Sequence, residues 1–238
     1  MLVQTKPLTA FEYFAPVSLD EALKLLSDGG AQARVLAGGT DMMLDLKSHA
    51  VQPGVVVDLN RVRELSFVET AGDTLQIGAT TTLNEIKESP VVRERAPVLL
   101  DTLMEFASDT IRNRATMGGN LCNASPAADL GPPLLVLDAS VVLRGMAGER
   151  SVPLSEFFVG PGRTALQPGE VMTRIDIPLR DGRSSYLKLG RRKGFAISIV
   201  SVAAFGVITD GKVEDIKVAL CAVAPTPIRG TKAEAALN

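Results

Sequence analysis

Two short stretches, residues 35–41 and 116–120, each place a pair of adjacent glycines beside threonine and aspartate or asparagine. A loop of this kind lets main-chain N–H groups approach an anion, because no Cβ atom stands in the way. A single loop of this composition is more often a tight turn. Two of them in one chain favour a phosphorylated ligand that both loops hold.

Charge argues against a general affinity for nucleic acid. The chain has 238 residues, of which 25 are Lys or Arg and 27 are Asp or Glu, so its formal net charge is −2. A polyanion would therefore need a local basic patch, and only residues 191–193 offer one. The length allows one large domain or two modest ones without metals or disulfides to stabilise them.

The chain is poor in metal-ligating side chains. It contains two cysteines, Cys122 and Cys221, and one histidine, His49. These are too few for an iron–sulfur cluster or a zinc site, so we predict no metal here and place any metal chemistry on another polypeptide. Free cysteines indicate a reducing compartment, and no apolar run is long enough to cross a bilayer. We therefore expect a soluble, cytoplasmic protein.

The first third of the chain has the pattern of a βαβ unit. A helix is predicted from residue 19, with Ser18 as its N-cap, Glu21 completing a capping box and Gly29-Gly30 ending it. A strand over residues 34–37 precedes the first glycine pair. A helix over residues 42–48, capped by Thr40 or Asp41, and a strand over residues 54–59 follow. The amino end of this second helix would favour an anion.

Short strands replace this pattern from about residue 65. Strands are predicted over residues 65–70 and 74–79, and a short helix starts at Thr82. One longer helix is predicted over residues 91–107. Strands over residues 140–144 and 171–178, with a short helix over residues 153–158 between them, complete this part.

Three further strands are predicted near the carboxyl end. They cover residues 185–189, 198–209 and 213–223, and Asp210-Gly211 predicts a tight hairpin between the last two. A domain boundary is expected within residues 179–184. The fold class is therefore α+β, and the last part should form a small domain around an antiparallel three-stranded sheet.

Residues 116–133 combine the second glycine pair with several polar side chains and three prolines. Asn123 and Ser125 are typical turn residues, and Asp129 could cap a helix. Each of these structural roles is simpler than a ligand contact. Together they do not explain why so many hydrogen-bonding groups lie beside Gly118-Gly119, and a polyol ligand would use them.

Five motifs, in this order along the chain, resemble the FAD-binding medium subunit of the molybdenum hydroxylases, the family of xanthine dehydrogenase, carbon monoxide dehydrogenase and 4-hydroxybenzoyl-CoA reductase. The motifs are Ala37-Gly38-Gly39-Thr40-Asp41, Ile77-Gly78-Ala79-Thr80-Thr81, Thr116-Met117-Gly118-Gly119-Asn120, Ser125-Pro126-Ala127-Ala128-Asp129 and Lys188-Leu189-Gly190-Arg191-Arg192. The resemblance implies a FAD-binding fold of the p-cresol methylhydroxylase and vanillyl-alcohol oxidase type. Two subdomains, residues 1–59 and 60–178, would enclose FAD, and residues 179–238 would form the C-terminal domain.

The resemblance also implies which residues bind the cofactor. The two glycine loops would wrap the diphosphate, through Leu36, Ala37, Gly38, Gly39, Thr40, Asp41, Met42, Thr116, Met117, Gly118, Gly119 and Asn120. Asp129, with Asn123 near it, would bind ribityl or ribose hydroxyls. Ile77 and Met172 would pack against the flavin or adenine, and Lys188 would stabilise the negative charge of the reduced flavin. The simpler interpretations are that Ile77 and Met172 belong to the core and that Lys188 is a solvated charge.

In this family the chemistry is divided among subunits. The resemblance implies a large molybdopterin subunit that converts the substrate and a small subunit with two two-iron two-sulfur clusters. The flavin subunit would pass electrons to an external acceptor such as NAD or quinone, in a dimer of heterotrimers. This role requires no general acid or base, so no residue of this chain is predicted to be catalytic.

Two other functions stay open. A self-contained flavin oxidase or reductase would need a proton-transfer group and often a covalent tether, for which His49 or Cys122 is of a suitable type. An assembly module that keeps only the nucleotide-binding loops would bind no flavin. Relatives usually continue through further helices beyond residue 238, and two cysteines cannot supply the four-iron cluster of 4-hydroxybenzoyl-CoA reductase.

Overall fold

The structure is a computed structural model that describes residues 7–192 and 194–238. It begins with a three-stranded parallel sheet of order β1-β3-β2, with α1 and α2 in the connections. The bounds are β1 Glu12–Phe14, α1 Leu19–Gly29, β2 Ala33–Leu36, α2 Met42–Ser48 and β3 Val55–Asp58. The βαβ unit predicted from the sequence is confirmed, and β1 is an additional three-residue strand.

Helix α1 begins and ends where its sequence predicts. The Ser18 hydroxyl accepts the N–H of Glu21 at 3.3 Å, and Gly30 ends the helix with φ +50°. The Glu21 carboxylate accepts the N–H of Val17 instead of that of Ser18, so only half of the capping box forms. The helix buries an apolar stripe against the strands.

A five-stranded antiparallel sheet of order β4-β5-β10-β6-β7 forms the second part. Its elements and their connections are β4 Val68–Ala71, β5 Thr74–Gly78, β6 Ser140–Gly145, β7 Gly148–Pro153, α9 Leu154–Phe157, β8 Phe158–Gly160, β9 Arg163–Thr164 and β10 Val171–Pro178. The strand predicted from residue 65 begins only at Val68, because residues 63–65 form a turn of 3₁₀-helix. Strands β8 and β9 pair as a separate small hairpin.

Six helices connect β5 to β6 along the chain. They are α3 Leu83–Glu88, α4 Pro90–Arg95, α5 Pro97–Glu105, α6 Asp109–Arg112, α7 Met117–Asn123 and α8 Gly131–Val136. Of these, α4 and α7 contact this sheet, whereas α5 and α8 contact the last sheet of the chain. Both halves of the capping box of α3, from Thr82 and Glu85, are present. The single helix predicted over residues 91–107 is wrong. Pro97 disfavours the helical conformation at Ala96, whose φ of −142° separates α4 from α5.

The last part is an antiparallel sheet of four strands, not three, in the order β11-β12-β13-β14. Its bounds are β11 Arg183–Gly190, β12 Ser198–Thr209, β13 Lys212–Cys221, β14 Ile228–Arg229 and α10 Thr231–Leu237. The three long strands match the prediction, and β14 adds two residues. Asp210 and Gly211 both have positive φ, 51° and 78°, as the predicted tight hairpin requires.

One hydrophobic core joins the second and last parts. Tyr186, Ala203, Phe205 and Ala219 point from the inner face of the four-stranded sheet into the same cluster as the five-stranded sheet and its helices. Within residues 7–192 and 194–238, no helix is long and apolar enough to cross a membrane. The same residues include no group of three side chains suited to hold a metal ion.

Candidate functional site

The structure brings the two glycine loops together. A Cβ atom added to Gly38 would lie 2.0 Å from the carbonyl oxygen of Arg114 and 3.0 Å from the Cα atom of Ala115. These two residues lead directly into the second loop. Gly38 is therefore required by the close approach of the two main chains, and the arrangement that a shared ligand needs is present.

A third segment, residues 79–82 after β5, completes the cluster of loops. The N–H of Gly118 donates to the carbonyl oxygen of Ala79 at 3.0 Å. The N–H of Leu83 donates to the carbonyl oxygen of Ala115 at 2.9 Å. A Cβ atom at Gly118 would lie 2.6 Å from the same Ala79 oxygen. The sequence interpretation explained Gly118 by space for a phosphate, whereas the structure explains it by packing against Ala79.

The hydrogen-bond donors that a ligand could use lie on the first loop. The N–H groups of Gly38, Gly39, Thr40, Asp41 and Met42 donate to no other residue in the part of the chain that the structure describes. In the second loop, the N–H of Gly119 donates to the Thr116 hydroxyl at 3.0 Å, and that of Gly118 is bonded to Ala79. Five consecutive main-chain donors without a partner in the described chain are available to an anion.

Asp41 occupies the N-cap position of α2, but its side chain accepts no hydrogen bond there. Asp41 is exposed, yet partial desolvation by the surrounding loop raises the pKa of its carboxyl group, and the neighbouring Asp45 raises it further. Asp41 is thus the N-cap residue of α2, as one of the two predicted alternatives, but its side chain does not make the capping hydrogen bond. The main-chain N–H groups of residues 38–42 therefore remain available to an acceptor other than the Asp41 carboxylate.

A second polar centre contains Asp129, Lys188 and Ser198. The carboxylate of Asp129 accepts from Lys188 Nζ at 2.7 Å and from Ser198 Oγ at 2.5 Å. Both charged side chains are buried, with 6% of Lys188 and 7% of Asp129 exposed. The interpretation of Lys188 as a solvated charge is therefore wrong. Asp129 caps no helix either, because Leu130 is the N-cap of α8 and no side chain bonds there.

The groups around this ion pair are held neutral. Burial, and then the negative charge of Asp129, raise the pKa of Tyr186 above its ordinary value. The same two causes raise the pKa of Cys221 to about 12. Its thiol donates to the carbonyl oxygen of Pro126 at 2.9 Å. Among the described residues, Lys188 is the cation that forms an ion pair with Asp129.

Along the chain, helix α7 lies between the second glycine loop and the segment that carries Asp129. It has seven residues, so at 1.5 Å per residue it is about 10 Å long. Asn120 lies at its glycine-loop end, where the side-chain oxygen is buried and accepts from no described residue. Asn123 is exposed at the other end. Helix α7 therefore leads along the chain from the second glycine loop, with its unpartnered Asn120 oxygen, to the segment that carries Asp129.

Two of the predicted contact residues lie in the core, and two flank the first glycine loop. Ile77 on β5 and Met172 on β10 are buried in the main hydrophobic core, which is the simpler role that the sequence allowed. Leu36 ends β2 and Met42 begins α2, so these two bracket the first glycine loop. Their side chains are half-buried.

Two residues that support the loops were not predicted. Arg112 is buried and donates to the carbonyl oxygens of Phe106 and Ala107, which holds the turn after α5. Asn60 donates to the carbonyl oxygen of Ala37 at 2.8 Å. A polar residue just past the carboxyl end of a parallel strand was the available signal for Asn60. The sequence around Arg112 held no comparable signal.

Comparison with known proteins agrees with this geometry. Residues 9–180 match the family described as the FAD binding domain in molybdopterin dehydrogenase. Residues 185–238 match the CO dehydrogenase flavoprotein C-terminal domain.

Among curated proteins, the glyceraldehyde dehydrogenase medium chain of Sulfolobus acidocaldarius is 35% identical over 225 residues, which are 94% of this chain and 79% of that protein. The carbon monoxide dehydrogenase medium chain of Hydrogenophaga pseudoflava is 36% identical over 221 residues, 92% of this chain and 77% of that one.

A solved structure shows the same fold. It is carbon monoxide dehydrogenase from Hydrogenophaga pseudoflava in a form that lacks the molybdenum-pyranopterin moiety of its cofactor. Its matching chain superposes with a TM-score of 0.94 at 36% identity, covering 98% of this chain and 81% of that one. The fold class expected from the sequence is thereby confirmed. The family match, the sequence relatives and the superposition agree, and this chain belongs to the family of FAD-binding flavoprotein subunits of the molybdenum hydroxylases.

Proposed function

We propose that this chain binds FAD between the first glycine loop and the Asp129–Lys188 pair. In this arrangement it would pass electrons from a partner's two-iron two-sulfur clusters to an external acceptor. The observation that carries the proposal is the run of five free N–H groups at residues 38–42. A diphosphate would satisfy these donors, which otherwise stay without a partner among the described residues.

The second loop has a supporting role in this proposal. Its glycines allow the main chain to pack against Ala79, and Thr116 fixes the turn by accepting the N–H of Gly119. The buried, unpartnered oxygen of Asn120 is available to a donor on the ligand. We infer that the second loop forms one wall of the proposed FAD site and offers the ligand one acceptor, the side-chain oxygen of Asn120.

The Asp129 carboxylate can still accept hydroxyl groups. A carboxylate has about four acceptor positions, and Lys188 and Ser198 occupy one on each oxygen. Ribityl or ribose hydroxyls suit the free positions. Because Asp129 compensates the charge of Lys188, the pair presents a weaker positive field to a bound flavin than a free lysine would.

When bound, FAD supplies a ring system that takes up electrons singly and releases them in pairs. The medium chains named above carry a subunit name that implies further subunits. By analogy we propose a large molybdopterin subunit and a small iron–sulfur subunit, in a dimer of heterotrimers with NAD or quinone as acceptor. We also propose a cytoplasmic location, which its two free cysteines favour.

Thermal unfolding of the flavin-free full chain tests the proposal. A saturating ligand at 100 times its Kd adds about 2.7 kcal/mol of stability. For a chain of this size, that raises Tm by roughly 5–10 °C. We expect this shift with FAD, a smaller one with ADP and none with adenosine. No shift with FAD would contradict the proposal, and turnover of a small molecule by the isolated chain would favour the self-contained flavin enzyme.

A further inference from the structure

Asn60 lies outside the first glycine loop and bonds to Ala37, the residue of that loop that directly follows β2. It follows β3 by two residues, and its side-chain Nδ2 donates to the carbonyl oxygen of Ala37 at 2.8 Å. Ala37 immediately precedes Gly38, whose N–H is the first of the five free donors. The family motifs that the sequence analysis used do not include Asn60.

The Asn60 side chain is itself fixed by two residues. Asp58 Oδ1 accepts from the Asn60 main-chain N–H at 2.8 Å and from its Nδ2 at 2.5 Å. The Tyr13 hydroxyl donates to the other carboxylate oxygen, Oδ2, at 2.5 Å. Since Nδ2 faces two oxygen atoms, the amide can take only one orientation. Tyr13, Asp58 and Ala37 come from the three strands of the parallel sheet, at or just beyond them, so the sheet as a whole anchors this contact.

This contact sets the direction of a main-chain donor. In a planar trans peptide, the carbonyl oxygen and the following N–H point to opposite sides. With the Ala37 oxygen held toward Asn60, the N–H of Gly38 must point away from Asn60. Without the contact, only the packing of Gly38 against Arg114 would restrain the peptide plane between Ala37 and Gly38, because glycine itself has few conformational restrictions.

We propose that Asn60, oriented by Asp58 and Tyr13, is a positioning residue that fixes the Gly38 N–H for the diphosphate of FAD. This inference rests on the proposed function. Asn60 need not touch the ligand. It lowers the conformational entropy that binding would otherwise cost, since the donor already points in one direction before the ligand arrives. Loss of one well-directed hydrogen bond to a negatively charged phosphate oxygen corresponds to a weakening of roughly 5- to 20-fold.

The test uses the full chain freed of flavin, as wild type and as Asn60→Ala, Asn60→Asp and Tyr13→Phe. We expect Asn60→Ala to raise the Kd for both FAD and ADP about tenfold. Asn60→Asp should do more harm, because its carboxylate would face the oxygens of Ala37 and Asp58. Tyr13→Phe should have a smaller effect. Ser66→Ala is the control, since Ser66 is exposed and lies outside both glycine loops.

A second readout separates positioning from general destabilisation. In the flavin-free chain labelled with ¹⁵N-glycine, Asn60→Ala should shift or broaden the amide signal of Gly38 and leave those of Gly118 and Gly119 unchanged. An unchanged Kd for FAD would overturn the inference. So would a raised Kd with an unaltered Gly38 signal. If the wild-type chain bound no FAD, the proposed function would fail, a result distinct from either of these.

Discussion

At the residue scale, the glycines of the site are explained by contacts within the protein. Gly38 and Gly118 lie against main-chain atoms of Arg114 and Ala79, so each would be required even in the absence of a ligand. The sequence pointed to the right positions because loops that approach each other and loops that bind anions both need glycine. It could not tell which of the two reasons applies, since that depends on what lies opposite each residue.

We predict that Gly38→Ala destabilises the flavin-free chain by about 1–3 kcal/mol. Its Cβ would lie 2.0 Å from the Arg114 oxygen, so one of the two main chains must move. Urea unfolding followed by circular dichroism measures the loss. Gly194→Ala is the control, because nothing lies within 4 Å of its Cβ position. Equal midpoints for the two variants would show that the loops are not packed as described.

The site as a whole was predicted in part, for a reason that also lies in single residues. Asp129 and Lys188 were selected from motifs, yet their direct contact joins residues 59 positions apart and no periodicity reveals it. The same holds for Arg112, which holds its turn through the carbonyl oxygens of Phe106 and Ala107. A main-chain acceptor has no signature in the sequence, so such supports become visible only once the loops are in place.

At the element scale, long segments with caps were predictable and short or interrupted ones were not. Helix α1 and strands β12 and β13 have the periodicity, caps and turn residues that mark their ends. Strands β1 and β14 have three and two residues, too few for an alternating pattern. The break between α4 and α5 was readable at Pro97, but the apolar spacing across residues 91–107 concealed it.

A pH-dependent contact links two elements of the five-stranded sheet. Arg150 on β7 donates to both oxygens of Glu170, at 2.8 Å each, in the turn before β10. These bonds, and the bond from Gln167 N–H, lower the pKa of Glu170 against the opposing effect of burial. The contact therefore stabilises the fold above the ordinary glutamate pKa. This stability is lost as the pH falls through the lower pKa of the folded state.

We accordingly predict that Glu170→Gln destabilises the chain at pH 7 by about 1 kcal/mol or less, because the Arg150 side chain is partly exposed. The difference from wild type should shrink when unfolding is measured below the ordinary glutamate pKa of about 4.3. Glu69→Gln, an exposed position on β4, serves as the control and should show no such convergence. A pH-independent difference would mean that Glu170 acts through packing and not through its charge.

At the scale of the whole molecule, the shared core bears on whether the two predicted domains unfold separately or together. A boundary at residues 179–184 separates two sequence patterns, and each has its own sheet. Yet the inner face of the four-stranded sheet packs into the core of the five-stranded one, and α5 and α8 pack against the four-stranded sheet. Two parts that bury one core together are expected to unfold together, whatever their sequences suggest separately.

The two cysteines report on this cooperativity, because they lie in different parts. Cys122 is half-buried on α7 and Cys221 is buried on β13, and desolvation raises the pKa of each thiol to about 12. Since the thiolate is the reactive form, neither should react with a thiol reagent at pH 8 while the protein is folded.

In variants with one thiol each, Cys122→Ala and Cys221→Ala, labelling should become fast over the same range of urea concentration. A cysteine introduced at the exposed Ser66 should react at once and confirm that the reagent is active. Labelling of Cys221 at a lower urea concentration than Cys122 would show that the C-terminal sheet opens by itself, which the packing of Tyr186 and Phe205 into the common core argues against.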